Sequence, residues 1–317
     1  MALWHKTSPF VSGEWVEVRS EAEIAASLDR DGKLDGVLFM PEMRELCGRR
    51  LRIHRRVEKT CVEGYGVRRM RGTVLLEDAR CTGASHDGCQ RSCLLFWKEA
   101  WLKPVADHAA CPEVPSAAYG TPAAALLDNL ETKVGDRYRC QSTELAAATE
   151  PLSPWDPRPL LAETIAGDLP ASRLVLIVVR VLTNRVRRLI GLLELGVPPG
   201  ERGKHSRGDL DLLPGDRVEV RPLDEIRQTL DPSGRNCGLR FEPDMNSYAG
   251  RHFTVEHPIK RIIREDTGKM VTISNTVALK GVVCAGVCSK NCPRANPHFW
   301  RESWLRRAAP ERVEPAE

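Results

Sequence analysis

The 317-residue sequence has no uninterrupted apolar run long enough to cross a bilayer. Its most apolar stretch, Leu174 to Val179, is followed by Arg180, Arg185, Arg187 and Arg188. A span of about 20 residues carrying that many arginines does not sit in lipid. The opening MALWHKTSPFVSGEW also lacks the continuous apolar core of an export signal, so a cytoplasmic protein is expected. Charge of one sign is scarce: 47 basic against 43 acidic residues leave +4, too little by itself to suggest nucleic-acid binding. With 42% hydrophobic residues, that small charge also excludes general disorder. The 24 glycines and 22 prolines follow no period, which excludes collagen-like chains. Missing too are GxGxxG after a strand, GxxxxGK(S/T), HExxH, GxSxG and the kinase set. Each carries a specific piece of chemistry, so their absence weighs against a nucleotide enzyme of the common kinds, and no catalytic residue is identified.

Cysteine, by contrast, is abundant at eleven residues. Cytoplasmic thiol pools disfavour structural disulfides, so clustered cysteines there point to metal ligands or redox chemistry. Cys111 and Cys140 stand alone and read as small buried hydrophobes.

The chain contains a duplication. GEWVEVR (13–19) recurs as GDRVEVR (215–221), an offset of 202. At that offset Gly32, Gly36, Phe39, Pro41, Met43, Gly48 and Arg49 meet Gly234, Gly238, Phe241, Pro243, Met245, Gly250 and Arg251. One inserted residue makes the offset 203. Thr73-Val74, Leu76, Cys81, Gly83 and Cys89 then meet Thr276-Val277, Leu279, Cys284, Gly286 and Cys292, and FWKEAWL (96–102) meets FWRESWL (299–305). The implied organisation is a first module over 10–104, a middle segment over 105–212, a second module over 213–308 and a tail over 309–317.

Within each module short alternating runs read as strands: Trp15–Val18, Leu51–Ile53 and Val74–Leu76, with Val218–Val220, Phe253–Val255 and Val277–Leu279 as counterparts. Glu21–Leu28 and Leu223–Leu230 read as short helices. Gly36/Gly238 and Gly48/Gly250 fall at breaks where positive φ is expected. Trp97 and Trp101, like Trp300 and Trp304, are four apart, which places each pair on one face of a terminal helix sealing the core. The fold class is therefore mainly β with some helix. It consists of two duplicated small SH3-like β-barrel modules, each ending in a cysteine-rich hook and a short helix, joined by a partly helical middle segment. In that segment 172–195 reads as one helix, capped near Ser172 and stopped by Gly196 and Pro198, with its arginines on the wet side. Residues 113–127 and 150–159 read as irregular chain, and 198–208 as a polar linker.

The hooks carry the candidate chemistry. In the first, Cys81-x4-His86-x2-Cys89-x3-Cys93 places four soft N/S donors within thirteen positions, a set suited to tetrahedral zinc. The second reads Cys284-x3-Cys288-x3-Cys292 with His298 close behind. His86 falls opposite Ser289 and Cys93 opposite Asn296, so a metal there needs a different shell, with Cys288 and one of His298, His252 or Cys237. Three thiolates at x3/x3 spacing also suit an iron–sulfur cluster. A third reading makes the shared cysteines a structural couple that pins the loop. Cys47 and Cys61 are spare donors. Cys47 beside Arg49 and Arg50 offers a reactive thiol, against the simpler reading of a half-buried turn cysteine.

FMPEMRELCGRRLRIHRRVEKTC, LLEDARCTGASHDGCQRSCLLFWKEAWL, RYRCQSTELAAATEPLSPWDPR and CPRANPHFWRESWLRR together cover most of the chain. On these segments it resembles a group of bacterial cysteine-rich tandem-repeat proteins without an assigned activity, found among genes for small-molecule or polysaccharide biosynthesis. The resemblance implies an accessory or tailoring role. It also implies a histidine before the last cysteine of the second hook, where this chain has Ser289 and an added Cys288.

The leading expectation is thus a metal-binding accessory or tailoring protein, holding zinc or an iron–sulfur cluster and engaging a protein partner or a small-molecule or carrier-bound substrate. The alternative is a metal- or thiol-dependent biosynthetic enzyme. The third is an SH3-like nucleic-acid binder, suggested by RRLRIHRR (49–56) and opposed by the low net charge.

Overall fold

The structure, a computed structural model, describes residues 10–105, 126–200, 207–287 and 290–308. Cys111, Cys288, residues 113–125, residues 201–206 of the polar linker and the tail 309–317 lie outside the described residues.

The chain is mainly β, and the duplication is visible strand for strand. In the first copy five antiparallel strands form one curled sheet in the order Leu94–Lys98, Thr73–Arg80, Arg50–Arg56, Trp15–Val18, Leu102–Pro104. The second copy repeats it with Pro297–Arg301, Thr276–Val283, His252–Pro258, Arg217–Val220, Leu305–Arg307. Even the irregularities recur. Register shifts fall between Ile53 and Arg55 in one copy and between Val255 and His257 in the other. Such bulges bend a strand and tighten its twist, which is how five short strands curl round a core.

The cores correspond residue by residue. Val16, Val18, Ile24, Phe39, Met43, Ile53, Val74 and Leu76 are buried in the first copy. Val218, Val220, Ile226, Phe241, Met245, Val255, Val277 and Leu279 are buried in the second. The tryptophans close both, but not from a helix. Trp97 and Trp300 lie on strands, and only Glu99–Trp101 and Glu302–Trp304 make a single 3-10 turn. A strand followed by one tight turn meets the same i, i+4 spacing, and the run Leu94-Leu-Phe-Trp has a strand partner to pair with. Phe39 and Trp101 meet edge to face at 5.5 Å, as Phe241 and Trp304 do at 5.1 Å. The indole N–H of Trp101 donates to Ser27 Oγ, and that of Trp304 to Thr229 Oγ1.

The short helices run Glu21–Ala25 and Leu223–Gln228, shorter than their apolar spacing suggested. Gly36 and Gly238 take φ of +78° and +85° as expected. In the middle segment the long helix spans Ala171–Leu189 and stops earlier than Gly196, because Gly191 turns the chain at φ +72°. The returning residues bind its polar side: Asn184 Oδ1 accepts from Leu195 N, and Arg187 Nε donates to Leu193 O. Arg173, Arg185 and Arg188 are exposed, but so are Val175, Val179, Leu182, Val186 and Leu189, while Ile177 and Asn184 are buried. Among the described residues no helix is long and apolar enough to cross a membrane.

The chain divides into two compact units, and these are not contiguous in sequence. One comprises 1–178 together with 261–271 and 285–296; the other comprises 179–260, 272–284 and 297–317. Within the first unit, the borrowed segments are tied down by buried charge. Lys59 pairs with Glu163, which also accepts from Asn291 Nδ2 at 2.9 Å. Arg294 grips both oxygens of Glu265 at 3.0 and 2.5 Å, and Arg91 adds a third contact at 3.2 Å.

Candidate metal centre

Each copy follows its second sheet-flanking glycine with a 3-10 turn, Pro41–Leu46 or Pro243–Tyr248. Proline presets the first residue of the turn, and the buried Met43 or Met245 anchors its third. The acid between them, Glu42 or Asp244, is thereby held at a fixed place beside the cysteine hook. Neither acid stood among the candidate ligands read from sequence.

In the first unit Glu42, Cys81 and His86 bring their ligand atoms within 4.8 Å of one another. Glu42 Oε1 is 3.6 Å from His86 Nδ1 and 3.7 Å from Cys81 Sγ. Two ligands on a tetrahedral zinc stand about 3.3–3.6 Å apart, given its usual bond lengths. His86 Nε2 lies 3.1 Å from the Arg139 carbonyl, which can only accept, so Nε2 carries the hydrogen. Nδ1 faces Glu42, with Ser85 Oγ 3.3 Å away. Metal-bound histidines are oriented in this way, by a hydrogen bond from the other ring nitrogen.

Burial works against charge on Glu42, but hydrogen bonds from His86 and Ser85 prevail and hold its carboxyl down at about 2. Its second oxygen is buried without a hydrogen-bond partner of ordinary geometry. Burial first, then the Glu42 carboxylate and Cys93, push the Cys81 thiol up, away from the thiolate a metal needs. A divalent ion bound here would reverse this last effect and give the second Glu42 oxygen a partner.

Beside the triplet lies a cavity of ≈ 30 Å³, room for one small atom, lined by Cys81, His86, Cys89, Cys93 and Cys140 among others. All four ligands read from the first hook therefore face one space, though only Cys81 and His86 belong to the tight triplet. Cys93 Sγ accepts from Ser142 Oγ at 3.5 Å, and Cys89 Sγ from Ile263 N at 3.3 Å. Cys140, read from sequence as a plain hydrophobe, shares the cavity; burial pushes its thiol up to about 11. The hook closes so tightly that a Cβ on Gly83 (φ +75°) would stand 2.0 Å from the Cys89 carbonyl. Gly286 (φ +68°) repeats this against Cys292 at 2.4 Å.

The residues of the second hook part company. In the second unit Cys284 joins Asp244 and His298, again within 4.8 Å, with His298 Nε2 3.2 Å from Asp244 Oδ2. In the first unit Cys292 lies beside Cys61, their sulfurs 3.4 Å apart. His252 is exposed near Glu219, and Cys237 is exposed. Cys47 is not activated by its arginines: burial, then Glu21, pushes its thiol up to about 12.

The Cys61–Cys292 pair is built for closure. Hydrogen bonds from the Cys61 thiol and backbone N–H favour thiolate at Cys292, against its burial. A disulfide needs the sulfurs at about 2.05 Å, a modest approach from their present spacing. Oxidation with diamide, which takes up two electrons and two protons, is expected to join the tryptic peptides carrying Cys61 and Cys292. Oxidation of Cys237 alone, without that crosslink, would sink the expectation.

Compared with known proteins, the chain matches no family model, no curated protein and no solved structure.

Proposed function

We propose that this protein is a zinc-binding accessory protein of the cytoplasm, serving a bacterial biosynthetic pathway through a protein partner or a carrier-bound small molecule. The observation that carries the metal is the Glu42–Cys81–His86 triplet, two half-buried side chains and a buried imidazole that the Arg139 carbonyl orients from behind. Mixed oxygen, sulfur and nitrogen donors suit zinc. An iron–sulfur cluster wants thiolates throughout, whereas this triplet offers one thiol beside a carboxylate and an imidazole. Glu42, Cys81 and His86 would hold the ion, with a cavity thiol, Cys93 or Cys140, nearest to complete the shell. When bound, the ion supplies positive charge that keeps Cys81 as thiolate. The accessory role rests on the resemblance and on the missing catalytic motifs.

The test is elemental analysis of protein purified in reductant, followed by cobalt(II) exchange. Zinc is expected in the purified chain, and His86→Ala removes one equivalent. Cobalt gives the visible bands of a tetrahedral site, and Cys81→Ser removes the thiolate charge-transfer component. Protein that holds no zinc at this triplet and unfolds identically in chelator would refute the reading.

A further inference from the structure

We infer that Asp244, Cys284 and His298 form a second zinc site, one in each copy of the module. The inference goes beyond the first site, because its residues belong to the other compact unit and stand on their own geometry.

The argument turns on how the duplication has changed. Asp244 occupies the place of Glu42 at the second position of the 3-10 turn, after Pro243 as Glu42 follows Pro41. Cys284 occupies the place of Cys81, at the end of the equivalent strand. The acid and the thiol are thus inherited together. The imidazole is not: Ser289 stands where the first copy has His86. Yet a histidine reaches the acid–thiol pair from elsewhere. His298 lies on the strand Pro297–Arg301, at the position that Leu95 fills in the first copy.

One copy therefore approaches the pair from the hook with Nδ1, the other from the strand with Nε2. A histidine lost at one position and present at another, converging on the same two inherited donors, is what a shared ion requires. Packing alone does not require it, because the first copy fills that strand position with leucine. Two of the three side chains of the second site are buried, Asp244 and His298 keeping 7% and 6% of their exposure, and Cys284 is half-buried. The Tyr248 ring stands edge-on to the His298 ring at 6.3 Å and limits its rotation. The donor set of one carboxylate, one thiolate and one imidazole selects a borderline-soft divalent ion, zinc ahead of calcium or magnesium.

The experiment is zinc titration of the full chain, stripped with chelator under reductant, read by equilibrium dialysis and elemental analysis. Two equivalents per chain are expected. His298→Leu, which installs the residue of the first copy, is expected to bind one, as is Asp244→Asn. His86→Ala removes the other equivalent, and His86→Ala/His298→Leu binds none. Wild type that binds a single equivalent, lost in His86→Ala and kept in His298→Leu, overturns the second site and leaves the first. A single equivalent with the reverse pattern overturns the first and leaves the second. Two equivalents untouched by His298→Leu and Asp244→Asn also overturn the inference. Asp244→Asn, nearly isosteric, keeps the test decisive should His298→Leu fail to fold.

Discussion

Replacing Glu163 with leucine lowers the unfolding free energy by about 3–5 kcal/mol, the usual cost of leaving one member of a buried ion pair behind. Lys59 and Glu163 are each 1% exposed, so water cannot replace the lost carboxylate. Asn291 Nδ2 loses its acceptor in the same step. The pH dependence gives a second signature. Burial lowers the Lys59 pKa below its ordinary 10.5, while Glu163 opposes that effect. Between the lowered folded value and 10.5 the unfolded chain binds more protons than the folded one, so stability rises with pH in that window. Removing Glu163 widens the window downwards, and the deficit of the variant shrinks as pH rises. The double variant Lys59→Met/Glu163→Leu, with no charge left to strand, regains most of the loss. Urea unfolding at several pH values checks all three outcomes. A flat, small deficit in the single variant would show that water reaches Lys59.

Trp101→Ala and Trp304→Ala each cost about 3–5 kcal/mol, and each spends that cost in one module only. Both indoles are fully buried, meet a phenylalanine edge to face and donate one hydrogen bond. Their surroundings are separate cores, the first built on Val16, Ile53 and Leu76, the second on Val218, Val255 and Leu279. Native-state hydrogen exchange is the measurement. Trp101→Ala is expected to strip protection from Trp15–Val18 and Arg50–Arg56 and to leave Arg217–Val220 protected; Trp304→Ala does the opposite. Equal loss in both modules would mean that the two cores unfold as one.

The sequence alone carried the repeated parts of this protein. Two copies of one pattern constrain each other, so the strands at Val16, Ile53 and Leu76 and their partners 202 or 203 residues later were legible together. Secondary structure built on a single copy was less so. Trp97 and Trp101 fit a helical spacing, and only the strand pairing of Leu94–Lys98 distinguishes a strand plus a turn. The Ala171–Leu189 helix has an amphipathic sequence, but which side faces water depends on what its own returning chain covers.

At the candidate site, Cys81 and His86 were legible from spacing because one hook carries both. Glu42 and Asp244 come from nearly forty residues upstream, and only the fold brings them in. A signal existed: an acid sits between Pro and Met in both copies, and a carboxylate retained as Glu in one and Asp in the other is more specific than the flanking matches. Cys140 gave no such signal, having no counterpart in the second copy. Nor did Cys61, whose partner Cys292 lies 231 residues away.

The non-contiguous first unit has a consequence for how the protein is made. A ribosome that has finished residue 178 has produced the greater part of that unit but not 261–271 or 285–296. At a typical elongation rate of about 5–20 residues per second, the remaining stretch to Asn296 occupies on the order of ten seconds. During that interval Lys59 and Glu163 lack Asn291, Cys61 lacks its partner sulfur, and Cys89 lacks the Ile263 amide. The nascent first module must therefore wait, with its most polar interior open, for the last third of the chain to be translated.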